Sequence, residues 1–227
     1  MRKTVALLAA ALTTTVAAQV PVTKEPRHRV AFENADFRVI HVHVPPGAAT
    51  GDHRHEFDVA EVSMSAGTSV REGSGGPRPS PPLGEVTISD HTGKPATHRT
   101  ENVGKTPYQV FAVENLRQKG WSTGAPATGI GTTLASESRA FRVYDVRLGR
   151  EAQNSSHTHA VPTVVVLIKG AVLSEGPDEN AKSFAPAPVG LKQLTQTGEW
   201  LLVPAGDKHH IARLGTSDAH VVEIEVR

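Results

Sequence analysis

The sequence of 227 residues contains no cysteine. Disulfides, thiolate metal sites and a cysteine nucleophile are therefore excluded. Aromatic residues make up only 4% of the chain, so an extended aromatic platform for stacking sugars is not expected. The 24 basic residues nearly balance the 23 acidic ones. Because no net positive field attracts phosphate groups, this balance excludes a polybasic protein that binds nucleic acid or membrane surfaces.

The sequence is rich in histidine, with 12 residues of this type. Since thiolates are absent, any transition metal must be bound by imidazole and carboxylate groups. Hydrophobic residues make up 38% and charged residues 21% of the chain, which is typical of a packed globular core. The 20 glycines and 16 prolines favour many short elements joined by turns over long helices.

The N-terminus has the residue order of a secretory signal peptide. Arg2 and Lys3 precede an apolar run from Val5 to Leu12, and small residues follow at Ala17 and Ala18. The run is shorter than the ~20 residues that span a bilayer. A buried N-terminal helix, the alternative, leaves this order unexplained. We therefore predict that residues 1–18 are a signal peptide and that the mature protein is exported, to the periplasm or out of the cell.

Two segments of the chain recur in the same order, which indicates a duplication. Residues 37–55 match residues 141–159 without a gap, and residues 98–114 match residues 209–225 in the same way. We predict two halves, at 28–116 and 137–227. The stretch between them, 117–136, is rich in Gly, Thr, Ala and Pro and is predicted to be a linker.

Within each half the dominant hydrophobic period is two, which indicates β-strands. Residues 37–44 alternate in this way, 163–168 is a β-branched run, and 221–226 alternates with glutamates. After the signal segment, no window of twelve or more residues has a convincing helical stripe. The predicted class is all-β, and duplicated short strands suggest sandwiches or barrels.

Each half contains a His-x-His pair followed much later by a single histidine. On a strand, residues i and i+2 point to the same face, so the paired imidazoles aim at one point. A third imidazole from a neighbouring strand would leave coordination positions open, as catalytic metal sites do. The alternative is chance pairing in a His-rich chain. The candidate metal ligands are His53, His55 and His98 in the first half, and His157, His159 and His209 in the second.

The duplication provides an internal control for these assignments. His41 and His43 also form a His-x-His pair, but the matching positions hold Asp145 and Arg147. Such exchange is typical of a solvent-facing strand surface. All three histidines of each candidate site recur in both halves. We therefore predict metal ligation by the two triads and not by the earlier pair.

The spacing of these histidines resembles the cupin superfamily, whose motifs are G-x5-H-x-H-x(3,4)-E-x6-G and G-x5-P-x-G-x2-H-x3-N. The resemblance covers nearly all of the mature chain, although both halves depart from the motifs at some positions. In the second half Glu151 replaces the leading glycine and Arg213 replaces the asparagine. The matching positions are Gly47, His53, His55, Gly67, His98 and Asn102 in the first half, and His157, His159, Gly170, Gly198, Pro204, Gly206 and His209 in the second.

The resemblance implies two tandem cupin-type jelly-roll barrels, each binding one divalent metal. Imidazole ligands suit Fe, Mn, Zn, Ni and Cu, and do not select one of them. The glutamate of the first cupin motif is missing, because Ala60 and Thr163 stand in its place. Either each site uses three histidines, as some iron dioxygenases of the superfamily do, or the sites have decayed. A third possibility, in the first half, is that Glu61 serves as a ligand, because it lies on the same strand face as His55.

Two functions follow from these expectations. The first is an exported, metal-dependent enzyme of the dioxygenase type, an oxidoreductase acting on a small oxygen-bearing substrate. Three neutral ligands leave the metal charge uncompensated, which favours an anionic or chelating substrate. The second is a non-catalytic binding or structural module. Neither function requires nucleic acid or a membrane as a partner. The sequence leaves the formation of a homo-oligomer open. It assigns no catalytic residue.

Overall fold

The structure is a computed structural model, which describes residues 19–122, 124–128, 134–150, 153–175 and 193–227. The predicted signal peptide, residues 1–18, lies outside the described residues. Every regular element described is a β-strand, apart from one turn of 3₁₀ helix. The prediction of an all-β protein is confirmed. Across the described part of the chain, no helix has the length and apolar character needed to cross a membrane.

The first half is built from eleven strands, and its main sheet has the order β2-β3-β11-β5-β8. Two smaller sheets, β1-β4-β9 and β10-β6-β7, complete it. The elements are β1 (Val20–Pro21), the 3₁₀ helix (Val22–Lys24), β2 (His28–Glu33), β3 (Phe37–Val44), β4 (His53–His55), β5 (Asp58–Ser63), β6 (Ser69–Glu72), β7 (Arg78–Pro79), β8 (Val86–Ser89), β9 (Ala96–His98), β10 (Thr100–Asn102) and β11 (Tyr108–Asn115).

The second half repeats this arrangement, with a main sheet of order β12-β13-β20-β15-β18 and a smaller sheet of order β14-β19-β16-β17. Strand β12 begins inside the range predicted as linker, and the domain boundaries stay predictions. The strands are β12 (Leu134–Glu137), β13 (Phe141–Leu148), β14 (His157–Thr158), β15 (Thr163–Lys169), β16 (Val172–Glu175), β17 (Gln193–Leu194), β18 (Trp200–Val203), β19 (Lys208–Arg213) and β20 (Ala219–Val226).

Each main sheet has two buried faces, because its strands alternate between two apolar clusters. In β3, Ile40 and Val42 belong to a cluster inside the first barrel, whereas Phe37 and Val39 face the other way. In the second half Val165 lies in the interior cluster. The period-two pattern of the sequence thus marks both the barrel interior and an outer apolar surface.

The outer apolar surfaces of the two main sheets pack against each other in one shared core. Trp200 of the second half lies between aromatic rings of the first, with ring centroids 5.9 Å from Phe32 and 6.1 Å from Phe111. The same cluster includes Phe141 and Ile224, neither of which is exposed. The halves are therefore joined by a continuous hydrophobic core and not merely by a connecting segment.

Polar contacts at the ends of the sheets reinforce this junction. Asn115, the last residue of β11, donates from its side-chain amide to the backbone carbonyls of Ala140 and Arg227. Asp58, the first residue of β5, accepts a hydrogen bond of 3.0 Å from Arg139 Nε. Because Asp58 is buried and Arg139 belongs to the other half, this ion pair links the two barrels.

We expect Asp58→Ala to lower the free energy of unfolding by about 2 kcal/mol near neutral pH, because Arg139 and two backbone N–H groups lose their acceptor. Burial raises the pKa of Asp58, but these hydrogen bonds prevail and lower it to about 2, from 3.8. The stabilisation is therefore complete above about pH 4 and is lost as the pH falls towards 2. Urea unfolding of both proteins at several pH values measures the difference.

The control for this variant is Asp36→Ala, which removes a partly exposed partner of Arg117 on the surface. We expect that change to lower the unfolding free energy by less than about 1 kcal/mol. A difference between wild type and Asp58→Ala that stayed constant down to about pH 2 would contradict the assigned pKa.

Candidate metal centres

Three histidines and one glutamate converge inside the second barrel. His157 and His209 are directly opposite each other on β14 and β19, and His159 follows two residues after the first. Their Nε2 atoms lie 3.2 Å (His157), 2.9 Å (His159) and 4.0 Å (His209) from one carboxylate oxygen of Glu223. All four side chains are buried, and none is more than 3% exposed. This is a four-ligand cluster with the geometry to hold one ion.

The first barrel brings together the three matching histidines without the acid. His53 pairs with His98 across β4 and β9, as the equivalent residues do in the second barrel. The ring centroids of His53, His55 and His98 lie 4.5 to 5.1 Å apart. Their ligand atoms fall within 4.8 Å of one another. Both predicted triads are therefore assembled by the fold, each from two neighbouring strands.

The hydrogen bond at Nδ1 of the first histidine in each triad directs its Nε2 atom to the centre of the cluster, where His157 Nε2 lies 3.2 Å from Glu223. His53 Nδ1 donates to the Gly51 carbonyl at 2.9 Å, and His157 Nδ1 donates to the Ser155 carbonyl at 2.8 Å. An N–H at Nδ1 places the lone pair on Nε2, which is the tautomer that binds metals in this orientation. The backbone carbonyl two residues before each His-x-His pair thus sets the tautomer of its first histidine.

Behind the second histidine of each triad, a buried glutamate contacts the histidine on one side and an arginine on the other. In the second barrel, His159 Nδ1 is 2.9 Å from Glu225, whose other oxygen is 3.5 Å from Arg142. In the first barrel, His55 Nδ1 is 3.5 Å from Glu114, which is 3.1 Å from Arg38. A carboxylate behind a metal-binding histidine orients its ring and makes it more basic, as both arrangements would do.

Replacing Glu225 by Gln should weaken metal binding at the second site by about 10- to 100-fold, because the carboxylate that orients His159 and raises its basicity is lost. Competition with a chelator of known affinity measures the change, with the first site silenced by His53→Ala. The matched variant is Glu114→Gln, measured with the second site silenced by His157→Ala. We expect a smaller loss there, since the His55–Glu114 distance is longer. Equal affinity in wild type and Glu225→Gln would refute the orienting role.

The acid in the second barrel gives its site a different charge from the first. Burial lowers the pKa of His53 and His98, to about 4 and about 3. Burial acts in the same direction on His159, but hydrogen bonds to Glu223 and Glu225 outweigh it and raise that pKa to about 9. The pKa of Glu223 falls to about 2, because its hydrogen bonds to His157 and His159 exceed the effect of burial. Without metal, His159 and Glu223 thus form an ion pair in the second site, whereas His53 and His98 of the first site are neutral imidazoles near neutral pH.

The sequence prediction missed Glu223, because it looked for the acid where the first cupin motif places it. The glutamate comes instead from β20, the last strand, whose register brings it beside Val165 of β15. The first barrel has the opposite arrangement: Ala112 on β11 lies beside Glu61 on β5. At this pair of facing positions, the glutamate is therefore on β5 in the first half and on β20 in the second. A glutamate within the apolar pattern of 221–226 was the available signal.

A cavity of about 230 Å³ opens onto the first site. His55 and His98 line it on one side, and Glu61 and Tyr108 are among the groups that face them. Glu61 is half-buried, and its burial raises its pKa. It does not belong to the group of three ligand atoms within 4.8 Å, as far as the described residues show. The cavity therefore combines a triad, an acid and a phenol in one space.

Several ring nitrogens at the two sites have no hydrogen-bond partner in the part of the chain that the structure describes, although they are buried. They include His53 Nε2, His55 Nε2 and His209 Nε2. A buried polar atom without a hydrogen bond is unfavourable, so its persistence calls for a partner. Lone pairs of neutral imidazole aimed at a common point suit a divalent transition metal. The residues present therefore fit a metal ion at both sites.

Solved structures with low sequence identity share this architecture. A cupin 2 conserved barrel domain protein from Leptotrichia buccalis has 8% identity and a TM-score of 0.54, covering 88% of this chain and 88% of its own. This chain has the cupin fold. The predicted cupin-type jelly-roll barrels are confirmed. No protein-family model matches the chain, and no curated protein matches it by sequence.

Two other solved structures with this fold are a nickel(II) complex and an enzyme. The bacterial pirin YhhW from Escherichia coli, in complex with nickel(II), has 15% identity and a TM-score of 0.59, covering 88% of this chain and 90% of its own. A salicylate 1,2-dioxygenase from Pseudaminobacter salicylatoxidans has 11% identity and a TM-score of 0.59, covering 91% of this chain and 78% of its own. At these identities the likeness establishes the cupin fold and nothing more specific.

Proposed function

We propose that this cupin is a metal-dependent enzyme of the dioxygenase type, whose reaction takes place in the first barrel. His53, His55 and His98 would hold a divalent transition metal there. The observation that carries the proposal is the cavity of about 230 Å³, which places open space and polar groups directly beside two of the three ligands. A triad of ligands with access for a further molecule is typical of catalytic metal sites.

The substrate we propose is a small molecule with oxygen donors. A divalent ion held by three neutral imidazoles acts as a Lewis acid, and a redox-active one also supplies oxygen chemistry. Since no protein carboxylate belongs to the first cluster, an anionic or chelating substrate would balance the metal charge. Arg78, which also lines the cavity, is paired with Glu72 at 2.9 Å, so the charge for such a substrate would come from the metal. Within the cavity, Glu61 is the group placed to accept a proton from the substrate.

The second barrel would have a different role. His157, His159, His209 and Glu223 form a complete set of four ligands and are all buried. Four protein ligands without an open position are typical of structural metal sites. We therefore assign the second site to stability. A non-catalytic function of the whole protein is the alternative, and this buried site is the feature that favours it.

The test is elemental analysis of the purified mature protein after growth with Fe, Mn, Zn, Ni and Cu, repeated on His53→Ala and His157→Ala. Two metal ions per chain in the wild type and one in each variant support two working sites. Near-zero metal in the wild type would exclude the enzyme. Loss of metal only in His157→Ala would leave the first barrel without a metal and favour the non-catalytic function.

Export is a separate part of the proposal and rests on the order of residues 1–18. We expect the full-length chain, expressed in a bacterial host, to accumulate outside the cytoplasm and to lose its first 18 residues. Replacing Arg2 and Lys3 with glutamate should retain it inside the cell. N-terminal sequencing of the purified protein and fractionation of the cells measure both outcomes. A cytoplasmic protein that retained Arg2 would contradict export.

A further inference from the structure

A second cleft, distinct from both histidine clusters, lies where the first main sheet extends beyond the shared core. It encloses about 670 Å³. One wall is the outer face of the first sheet, with Arg29 on β2 and His41 on β3 directly paired across the strands. The other wall is the turn 196–199 of the second half. The two halves together therefore form this cleft.

The cleft carries positive charge that the described residues do not neutralise. Neither Arg27 nor Arg29 forms an ion pair with a carboxylate among them, although Arg27 Nε donates to the Ala49 carbonyl. The cleft contains one acid, Glu199, and its carboxylate already accepts the backbone N–H of Gln196. His41 Nε2 is buried and has no hydrogen-bond partner within the described ranges. Arg27, Arg29 and His41 thus line the same space, with the unsatisfied nitrogen of His41 beneath its surface.

The duplication again provides a control. The equivalents of His41 and His43 are Asp145 and Arg147, and Asp145 contacts both Arg147 and His220. The charges at the matching surface of the second half are therefore paired with one another. The turn of the first half also approaches that surface at His220, because a Cβ on Gly84 would come within 2.6 Å of the His220 ring.

We propose that the cleft between the halves binds a short-chain organic carboxylate, with its anionic group between Arg29 and His41. The planar guanidinium of arginine matches a carboxylate with two parallel hydrogen bonds, and a neutral imidazole can donate a third. Gln109, beside His43 on the same wall, offers a further amide. Met64 supplies an apolar surface for a short carbon chain. This site is independent of the proposed function of the first barrel.

The test is calorimetric titration of the purified mature protein with glutarate, and separately with inorganic phosphate. Wild type should bind glutarate saturably and more tightly than phosphate. Arg29→Gln should weaken glutarate binding by about tenfold or more, because a charged hydrogen bond is lost. Arg29 is exposed, so this change should leave the fold intact. The control is Arg147→Gln, which removes the same charge from the outer face of β13 in the other half and should change binding less than about twofold.

Two further variants separate this site from the metal centres. His53→Ala and His157→Ala should bind glutarate as wild type does, since neither residue lines the cleft. Loss of binding in a variant that keeps the circular dichroism spectrum and unfolding transition of the wild type would assign glutarate to a metal centre and overturn the proposal. No saturable binding, an unchanged affinity in Arg29→Gln, an equal loss in Arg147→Gln, or tighter binding of phosphate would also overturn it.

Discussion

Glu223→Ala should lower the affinity of the second site for a divalent metal by about a hundredfold or more. The carboxylate oxygen of Glu223 lies within 4.0 Å of all three histidine Nε2 atoms, so its removal takes away the anionic member of the ligand set. Loss of a residue that only supports a ligand already lowers metal affinity about 10- to 100-fold. Loss of a ligand itself should lower it at least as much.

Chelator competition measures this effect in a protein whose first site is silenced by His53→Ala. The control is Asp218→Ala, which removes an exposed acid from the same half and should leave the affinity unchanged. The first barrel offers an internal reference, because Ala112 already occupies the position that matches Glu223. The affinity of Glu223→Ala should approach that of the first site, measured in His157→Ala. Retention of the wild-type affinity within about threefold would exclude Glu223 as a ligand.

Trp200→Ala should lower the free energy of unfolding by about 3–5 kcal/mol, the usual range for removing a buried aromatic ring. Trp200 is 4% exposed and contacts two phenylalanines of the other half. The cavity left by the indole would lie in the core that both main sheets share. Stability should therefore be lost by both barrels at once, in a single transition.

Urea unfolding followed by circular dichroism and scanning calorimetry measures the stability and the number of transitions. Val30→Ala, at an exposed position of β2, is the control and should change the unfolding free energy by less than about 0.5 kcal/mol. Two separate transitions, of which the substitution moved only one, would show that the barrels fold independently. That outcome would contradict the energetic role assigned to the shared core.

Much of the fold could be predicted from local patterns. Alternation in residues 37–44 indicates a strand, and the structure has β3 at Phe37–Val44. The recurrence of the histidine triads predicted two equivalent sites, and the structure assembles both. These features can be predicted from the sequence because side chains along a strand alternate between two faces. That alternation depends only on neighbouring residues.

The acid of the second site could not be predicted in the same way. Glu223 and His157 are far apart in the chain, and only the register of β20 against its neighbours brings them together. The network behind each triad has the same origin, since Glu114 and Arg38 meet across two paired strands. Long-range strand pairing is not encoded in a local period, so a sequence pattern can place such residues on a face but not at a site.

The sequence by itself determined the strand class, the duplication and the six histidines. Only the tertiary structure decided how the two copies differ. Glu61 of β5 lines the cavity beside the first triad, whereas Glu223 of β20 completes the second triad as a buried cluster. The packing of one sheet on the other decided which outer strand surface stayed open and positively charged. Both outcomes depend on which strands lie side by side, a property of the folded chain and not of any single segment.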